Sequence, residues 1–547
     1  MRRGLRRLRG RREKSQRVGA NALDFASAIH VSQLRTCDLR EELSKMAATQ
    51  SHKPLIELAG GTSQFIDGKL VRGEGEAFTV ENPSDGSVVE SIAAASIDQV
   101  REMIAAAGRA QVEWAALSRD ERIAALRPFV AALRARMPDM RETLIAEAGC
   151  PGGSAPSAAG IMYFQTHVGV KQADDTLDLY RSMPEWEDNP VPLEERTTAL
   201  GQLAQSVMHY SPVGVVAAIA AYNYPFYTAI WKVIPALATG NAVILRPSPL
   251  TPISSLVFAQ AAIEAGLPAG VLNVMIESGI EGAQLLTTDP GVDMVAFTGS
   301  TAVGVQVAKQ GADTMKRLQL ELGGKSAQIF MEDALDKVIP AAAGVCLSHA
   351  GQGCVLGTRI FVPEERKAEV MQGMKALFES VKIGPASADD TVLGPLISRA
   401  QVERCERFVE LATQAGAKVV CGGKRPEGLD GYFYEATVLD TPDNANPAAQ
   451  EEIFGPVICV IGYTDIDHAI AMANDTPFGL SGYVFGADKK AALAVAKRLK
   501  TGTVNVNGGL NSAYASSGGH RMSGVGRERG PDGLRLYQNA TNLTMAA

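Results

Sequence analysis

Four short apolar segments decide the fold of this chain: VGVVAAIA (213–220), NAVILRP (241–247), GVLNVMI (270–276) and VDMVAFTGS (292–300). Each has the length and the β-branched content of a buried strand. The segments between them, at 231–237, 254–266 and 281–289, are typical of helices. Apolar strands that alternate with helices predict parallel βαβ units in a sheet covered on both faces. The sequence therefore predicts an α/β fold of a kind that binds nucleotides.

The flanking sequence extends this architecture in both directions. Residues 81–92, ENPSDGSVVESI, alternate and turn as two strands joined by a turn would, and residues 97–148 repeat apolar side chains at helical spacing. A second α/β block is expected over 322–505, followed by a glycine-rich, extended tail. The polar segment 185–207, which contains Pro190 and Pro192, interrupts the pattern and is interpreted as an insertion.

Composition excludes several classes of protein. At roughly 100–200 residues per domain, a chain of 547 residues predicts two or three domains. A net charge of −7 argues against nucleic acid as a partner, and no run of 18 apolar residues predicts a membrane-spanning helix. The seven cysteines form no CxxC pair, so we expect no disulfide framework, no metal site and a reducing compartment, the cytoplasm.

The first 45 residues differ from the rest, because they carry a net charge of +7. Three interpretations stay open: a disordered basic arm, an arginine-rich transit peptide that would make the protein organellar, or sequence upstream of a true start at Met46.

Two candidate catalytic residues lie in glycine-rich turns. Cys354, in GQGCVLGTR (351–359), follows a predicted helix, and its glycine neighbours allow a substrate to approach closely. Glu321, in LELGGKSAQ (320–328), ends a predicted strand, where α/β proteins place their chemistry. Taken alone, each also fits an ordinary role, a buried thiol and a solvated carboxylate.

Two further turns follow strands of the first block. Asn223, in AYNYPF (221–226), could donate its amide to an oxyanion or form a routine Asx turn. In FTGSTAVG (297–304), Gly299 and Ser300 begin a helix whose N-terminal N–H groups suit a phosphate, although the segment is not a GxGxxG motif.

These four segments, in this order, resemble the NAD(P)-dependent aldehyde dehydrogenase superfamily over about residues 60–545. The spacing of 33 residues from Glu321 to Cys354 agrees with the family. Further matching segments are PVGVV, WKVIPALATGNAVILRPSPLTP, EEIFGPV (451–457), NDTPFGLSG (474–482) and SGVGRERG (523–530).

The resemblance implies oxidation of an aldehyde to a carboxylic acid with NAD or NADP. Cys354 would form a thiohemiacetal and then a thioester, Asn223 and the Cys354 N–H would hold the oxyanion, and Glu321 would activate the hydrolytic water. The implied coenzyme-binding residues are Lys232, Arg246, Ser248, Gly299, Ser300, Gly304, Leu322, Glu452 and Phe454. The implied substrate pocket contains Tyr224, Trp231 and Val355.

The resemblance also implies a three-part architecture. A Rossmann-type cofactor domain would comprise 56–184 and 208–320, and an α/β catalytic domain 321–505. A small β element, 185–207 with 506–547, would join copies into a homodimer or homotetramer, and residues 1–55 would lie outside the fold.

Two positions depart from the family pattern. Arg246 stands where the family usually has Lys, and Pro249 stands where NAD-preferring members have the Glu that holds the ribose. We expect NAD as the coenzyme because the family usually prefers it, and NADP is the alternative. Ser516 and Ser517 replace a Pro-Phe pair, which changes the mouth of the substrate site.

Three alternatives compete with hydrolytic aldehyde oxidation. A CoA-acylating relative would release the acyl group to CoA, but such relatives tend to lack the glutamate at Glu321. A catalytically inactive scaffold would need none of Cys354, Glu321, Asn223 and Glu452. A cysteine hydrolase would pair Cys354 with His349, five residues away.

Overall fold

The computed structural model of the protein describes residues 64–188, 198–201 and 204–546. The predicted extension 1–55 and part of the predicted insertion, 189–197 and 202–203, lie outside the described residues.

The strands are β1 (Gln64–Ile66), β2 (Lys69–Val71), β3 (Ala77–Glu81), β4 (Val88–Ala93), β5 (Trp186–Asp188), β6 (Ala204–Pro212), β7 (Val215–Ile219), β8 (Ala242–Arg246), β9 (Leu272–Val274), β10 (Met294–Thr298), β11 (Arg317–Glu321), β12 (Ala327–Phe330), β13 (Arg359–Pro363), β14 (Lys418–Cys421), β15 (Thr437–Asp440), β16 (Val457–Tyr463), β17 (Ser481–Phe485), β18 (Thr503–Val506), β19 (Gly524–Val525) and β20 (Gln538–Ala546).

The helices are α1 (Ile97–Ala116), α2 (Arg119–Ala135), α3 (Met137–Ala148), α4 (Pro156–Tyr163), α5 (Gly169–Ser182), α6 (Pro225–Ala238), α7 (Leu256–Ala265), α8 (Glu281–Thr288), α9 (Thr301–Ala312), α10 (Val338–Cys346), α11 (Lys367–Phe378), α12 (Arg399–Gln414), α13 (Pro447–Gln450), α14 (Ile466–Asn474), α15 (Lys489–Ala496) and α16 (Gly530–Leu536). A π-helical turn lies at Phe164–Val168, and 3-10 turns lie at Ile253–Ser255, Glu332–Lys337, His349–Gly351, Glu364–Arg366 and Arg521–Ser523.

The first sheet has eight strands in the order β19-β11-β10-β7-β8-β9-β1-β2. Strands β11, β10, β7, β8 and β9 run parallel, and helices α6, α7 and α8 connect them as predicted. Every side chain of β7 and β8 is buried, because helices cover both faces of the sheet. The predicted α/β fold with a nucleotide-binding type of sheet is confirmed.

The second sheet has seven strands in the order β14-β15-β16-β13-β12-β17-β18, and all neighbours except β14 and β15 are parallel. It forms its own apolar core around strands β12, β13 and β16. This sheet corresponds to the predicted second α/β block.

A third sheet contains three antiparallel strands in the order β20-β6-β5. The tail 506–547, expected to form one element with 185–207, is divided between two sheets. Its strand β19 pairs with β11 in the first sheet, whereas its strand β20 pairs with β6 in the third sheet. Gly524 allows the first pairing: its φ is +130°, and an added Cβ would lie 1.8 Å from the Leu320 carbonyl oxygen.

Helices α1 and α2 begin at strong local signals. Ser96 and Ser118 each form a capping box with the residue three positions later, which satisfies free N–H groups at the start of α1 and α2. Across the described part of the chain, no helix has both the length and the apolarity needed to cross a membrane.

Candidate active site

Cys354 lies in the loop between α10 and β13, beyond a sharp turn. His349, Ala350 and Gly351 all have positive φ values, from 49° to 73°, which reverse the chain after α10. Cys354 is partly exposed, whereas the other cysteines of the described residues are buried. Cys354 is therefore the least buried cysteine of the described residues.

The environment of Cys354 disfavours its thiolate. Burial raises the pKa of the thiol to about 12, and the carboxylates of Glu452, Glu321 and Glu528 raise it further. A thiol with a pKa this high is mostly protonated at neutral pH. A nearby base or positive charge must therefore promote its ionisation.

Asn223 is held against the loop of Cys354. Its Nδ2 donates a hydrogen bond of 2.8 Å to the carbonyl oxygen of Gln352, two residues before Cys354. The side chain of Gln352 in turn accepts from the N–H of Ile397 at 3.0 Å. These bonds fix a buried amide beside the thiol, and one Nδ2 hydrogen remains for another acceptor.

Glu321, the last residue of β11, brings a carboxyl group towards the same loop. Its Oε1 is buried and has no hydrogen-bond partner among the described residues. Burial raises the pKa of this carboxyl well above its ordinary value, Glu528 raises it further, and Lys232 opposes the shift. Lys232 is fully buried and forms an ion pair of 2.7 Å with Glu528.

Aromatic side chains lie along the first half of α6 and just before it. Arg529 lies over the ring of Trp231, at 3.9 Å from its centroid. Tyr224 packs edge-on against His349, with 5.8 Å between ring centroids. Val355 is exposed, and its carbonyl oxygen accepts from the hydroxyl of Tyr483 at 2.9 Å.

His349 does not form a catalytic pair with Cys354. Neither ring nitrogen has a hydrogen-bond partner among the described residues, and burial lowers the pKa of the ring to about 4. A cysteine hydrolase needs hydrogen bonding between the two groups, so this alternative finds no support.

Among the residues expected to bind the nicotinamide end, Glu452 bonds the turn that follows Glu321. Glu452 Oε1 accepts from the N–H of Gly324 at 2.9 Å, and burial raises the pKa of that carboxyl. Phe454 has a φ of +64° and packs edge-on against Tyr222. A Cβ added at Gly304 would lie 2.3 Å from the Leu322 side chain, so α9 approaches this turn closely.

The other predicted coenzyme residues lie at the carboxyl ends of β8 and β10. Ser300 caps α9 by accepting from the N–H of Val303, and the Ser248 hydroxyl accepts from Leu250 N–H at 3.3 Å. Arg246 forms an ion pair of 3.0 Å with Glu277. Three exposed aliphatic side chains follow β8, β9 and β10 here, namely Leu250, Ile280 and Val303.

This edge of the sheet fits a dinucleotide. The carboxyl ends of parallel strands are where open α/β sheets bind such ligands, the capped start of α9 favours an anion, and exposed aliphatic groups suit the faces of an adenine ring.

The family model of the aldehyde dehydrogenases matches residues 70–543. The chain belongs to the aldehyde dehydrogenase family. It is 36% identical to geranial dehydrogenase of Castellaniella defragrans, over 87% of this chain and 96% of that protein. Aldehyde dehydrogenase C of Pseudomonas syringae, solved with NAD+ and octanal, is 33% identical with a TM-score of 0.82, over 90% of this chain and 98% of that one.

The NAD+ complex of an aldehyde dehydrogenase of Bacillus cereus is 30% identical with a TM-score of 0.83, over 89% of this chain and 97% of that one. The family and these relatives make the chain an oxidoreductase that oxidises aldehydes with NAD(P)+, as the sequence predicts.

The aldehyde dehydrogenase fold brings the predicted residues into two groups. Asn223, Glu321 and Glu452 lie around the loop of Cys354, whereas Arg246 and Ser248 lie at the end of β8. The prediction missed Glu528, which lies inside the quoted SGVGRERG segment, and Glu277, for which the sequence carries no motif.

Proposed function

We propose that Cys354 is the nucleophile and the carrier of the acyl group. Its thiolate adds to the aldehyde carbonyl carbon, and the carbonyl electron pair moves to oxygen to give a thiohemiacetal. The Asn223 amide and the Cys354 N–H donate to this oxyanion, and losing one such donor typically costs about 3–4 kcal/mol of barrier.

When bound, NAD(P)+ would supply the hydride acceptor, so that the thiohemiacetal carbon would lose a hydride and become the carbonyl carbon of a thioester on Cys354. Glu321 then takes a proton from a water molecule, whose oxygen attacks the thioester and releases the acid and the Cys354 sulfur. The buried Oε1 of Glu321, which has no hydrogen-bond partner in the described part of the chain, carries this proposal, because a desolvated carboxylate is a stronger base than a solvated one. Lys232, Glu452 and Phe454 would hold the nicotinamide end.

We also propose that the substrates are hydrophobic aldehydes. Phe164, Tyr224, Tyr227 and Trp231 form a connected aromatic cluster beside the Cys354 loop, which favours an apolar chain over a charged one. Octanal in the Pseudomonas syringae relative and the name of geranial dehydrogenase support the same class.

The test follows NADH formation with octanal and geranial, with and without CoA. Hydrolytic oxidation predicts the free carboxylic acid and no stimulation by CoA, and Cys354→Ala should lose at least about 1000-fold in turnover. The buried Cys346→Ala serves as the matched control and should keep turnover within a few-fold. An acyl-CoA product, or full turnover by Cys354→Ala, would refute the mechanism.

We also propose that the protein forms a homodimer or homotetramer and acts in the cytoplasm. A homodimer or homotetramer is supported by β20, whose outer edge has no strand neighbour in the described sheet. The cytoplasm is supported by the unpaired cysteines of the described residues.

A further inference from the structure

The carboxyl end of β8 holds a buried ion pair that the proposed chemistry does not use. Arg246 Nε lies 3.0 Å from Glu277 Oε1, and Arg246 Nη2 donates to the Gly279 carbonyl oxygen at 3.0 Å. The side chains are only 11% and 6% exposed. Two of the three guanidinium nitrogens are therefore engaged by the protein itself.

Glu277 is held from its other side by α8. Its Oε2 accepts from the N–H of Gly282 at 2.8 Å, and its Oε1 accepts from the N–H of Ala283 at 3.0 Å. A Cβ added at Gly282 would lie 2.6 Å from Glu277 Oε2, so a glycine permits this approach. The carboxylate thus fills the start of α8, a position where a phosphate group would otherwise be favoured.

We infer that Glu277 makes this enzyme select NAD+ over NADP+. The inference rests on the proposed function and on an adenosine ribose bound at the ends of β8 and β9, the edge of the sheet that fits a dinucleotide. A ribose 2′-phosphate adds about two negative charges, and it needs a cation with free donors. Here the charge of Arg246 is already balanced, and a fixed carboxylate lies beside it.

The same arrangement explains how a site with Pro249 can still prefer NAD+. Dinucleotide sites commonly use an acidic residue to favour a ribose 2′-hydroxyl, and a free arginine to favour a 2′-phosphate. Pro249 offers no carboxylate, but Glu277 supplies one from the segment after the neighbouring strand β9. Glu277 therefore disfavours a 2′-phosphate from a different position in the chain, by balancing the charge of Arg246.

The test compares the dissociation constants of NADH and NADPH by fluorescence titration, together with kcat/KM for NAD+ and NADP+ with octanal. The wild type should favour NADH by at least tenfold. Glu277→Gln should reduce this preference at least tenfold, mainly by strengthening NADPH. Glu281→Gln removes an equal charge from an exposed neighbour that does not bond Arg246, and it should change the ratio less than threefold.

Equal binding of the two coenzymes by the wild type, or an unchanged ratio in a folded Glu277→Gln, would overturn the inference. If Glu277→Gln does not fold, Arg246→Gln decides: it leaves the Glu277 carboxylate unbalanced and should widen the preference for NADH, and a narrowed preference would overturn the inference. Failure of the wild type to bind either coenzyme would instead contradict the proposed coenzyme site, and the inference with it.

Discussion

At the scale of single residues, the proposed chemistry depends on the buried carboxyl group of Glu321. As the proposed base, Glu321 must be ionised, and burial raises the pKa at which this happens. Turnover should therefore fall as the pH drops through a value well above 4.5, the ordinary pKa of a glutamate. A pH profile of kcat with octanal measures this acid limb.

Glu321→Gln should lower turnover by about 100- to 10,000-fold, and the remaining rate should lose the acid limb. The variant should also accumulate a thioester on Cys354, visible as added mass on the intact protein, because water is no longer activated. Exposed Glu332→Gln is the control. Turnover by Glu321→Gln within threefold of the wild type would refute the role of base.

At the scale of elements, a buried carboxylate joins α3 to the turn before α7. Both oxygens of Glu147 are used, accepting from the N–H groups of Ile253 at 2.8 Å and Ser254 at 2.9 Å. Burial nevertheless raises the pKa of Glu147 to about 7. Between pH 4.5 and about 7 the folded state keeps a proton that the unfolded chain has lost, so stability falls as the pH rises.

This contribution amounts to at most about 3 kcal/mol. The Tm advantage of the wild type over Glu147→Gln should therefore shrink as the pH is raised from 4.5 to 8. Exposed Glu102→Gln on α1 should show no such trend. Thermal unfolding followed by circular dichroism gives both differences, and a constant difference between wild type and Glu147→Gln would contradict the assignment.

The elements of the first sheet were predictable because apolar runs and turn residues are local signals. Cys354 and Glu321 could be predicted as catalytic residues because each lies in a motif that the sequence itself shows. The charged residues that shift the pKa of Glu321 could not be predicted as a pair, because Lys232 and Glu528 are 296 residues apart in the sequence. Arg246 and Glu277 are joined because β8 and β9 are neighbours in the sheet, a pairing that periodicity does not specify.

At the scale of the whole molecule, Ser523 links the two large sheets beside the active site. Its hydroxyl donates to the Gly323 carbonyl at 2.7 Å and accepts from Gly479 N–H at 2.9 Å, so it bonds the ends of segments from both sheets. Ser523→Ala should cost about 1–3 kcal/mol of stability, because two buried groups lose a partner.

The same change should lower kcat with octanal more than Ser380→Ala, an exposed control. Thermal unfolding and steady-state kinetics measure the two effects. A Ser523→Ala protein with unaltered Tm and kcat would show that the sheets are held together elsewhere.

The three-stranded sheet makes the assembly testable. The strand register places Trp186, Val207 and Leu543 on one face of the sheet. Trp186 and Thr541 both lie opposite His209, so these three side chains share a face. Val207 and Leu543 lie two residues further along their strands, and side chains two residues apart point to the same face. Trp186, Leu543 and Met545 are exposed apolar side chains of this sheet. Such a face beside an open strand edge is suited to a second copy of the chain.

Light scattering should therefore give the wild type at least twice the mass of one chain. Leu543→Arg combined with Met545→Arg should reduce that mass without altering the far-ultraviolet circular dichroism, because charges cannot be buried unpaired in the interface. Leu493→Arg, on the exposed side of α15, is the matched control and should keep the wild-type mass. A monomeric wild type, or a double variant of unchanged mass, would rule out assembly through this sheet.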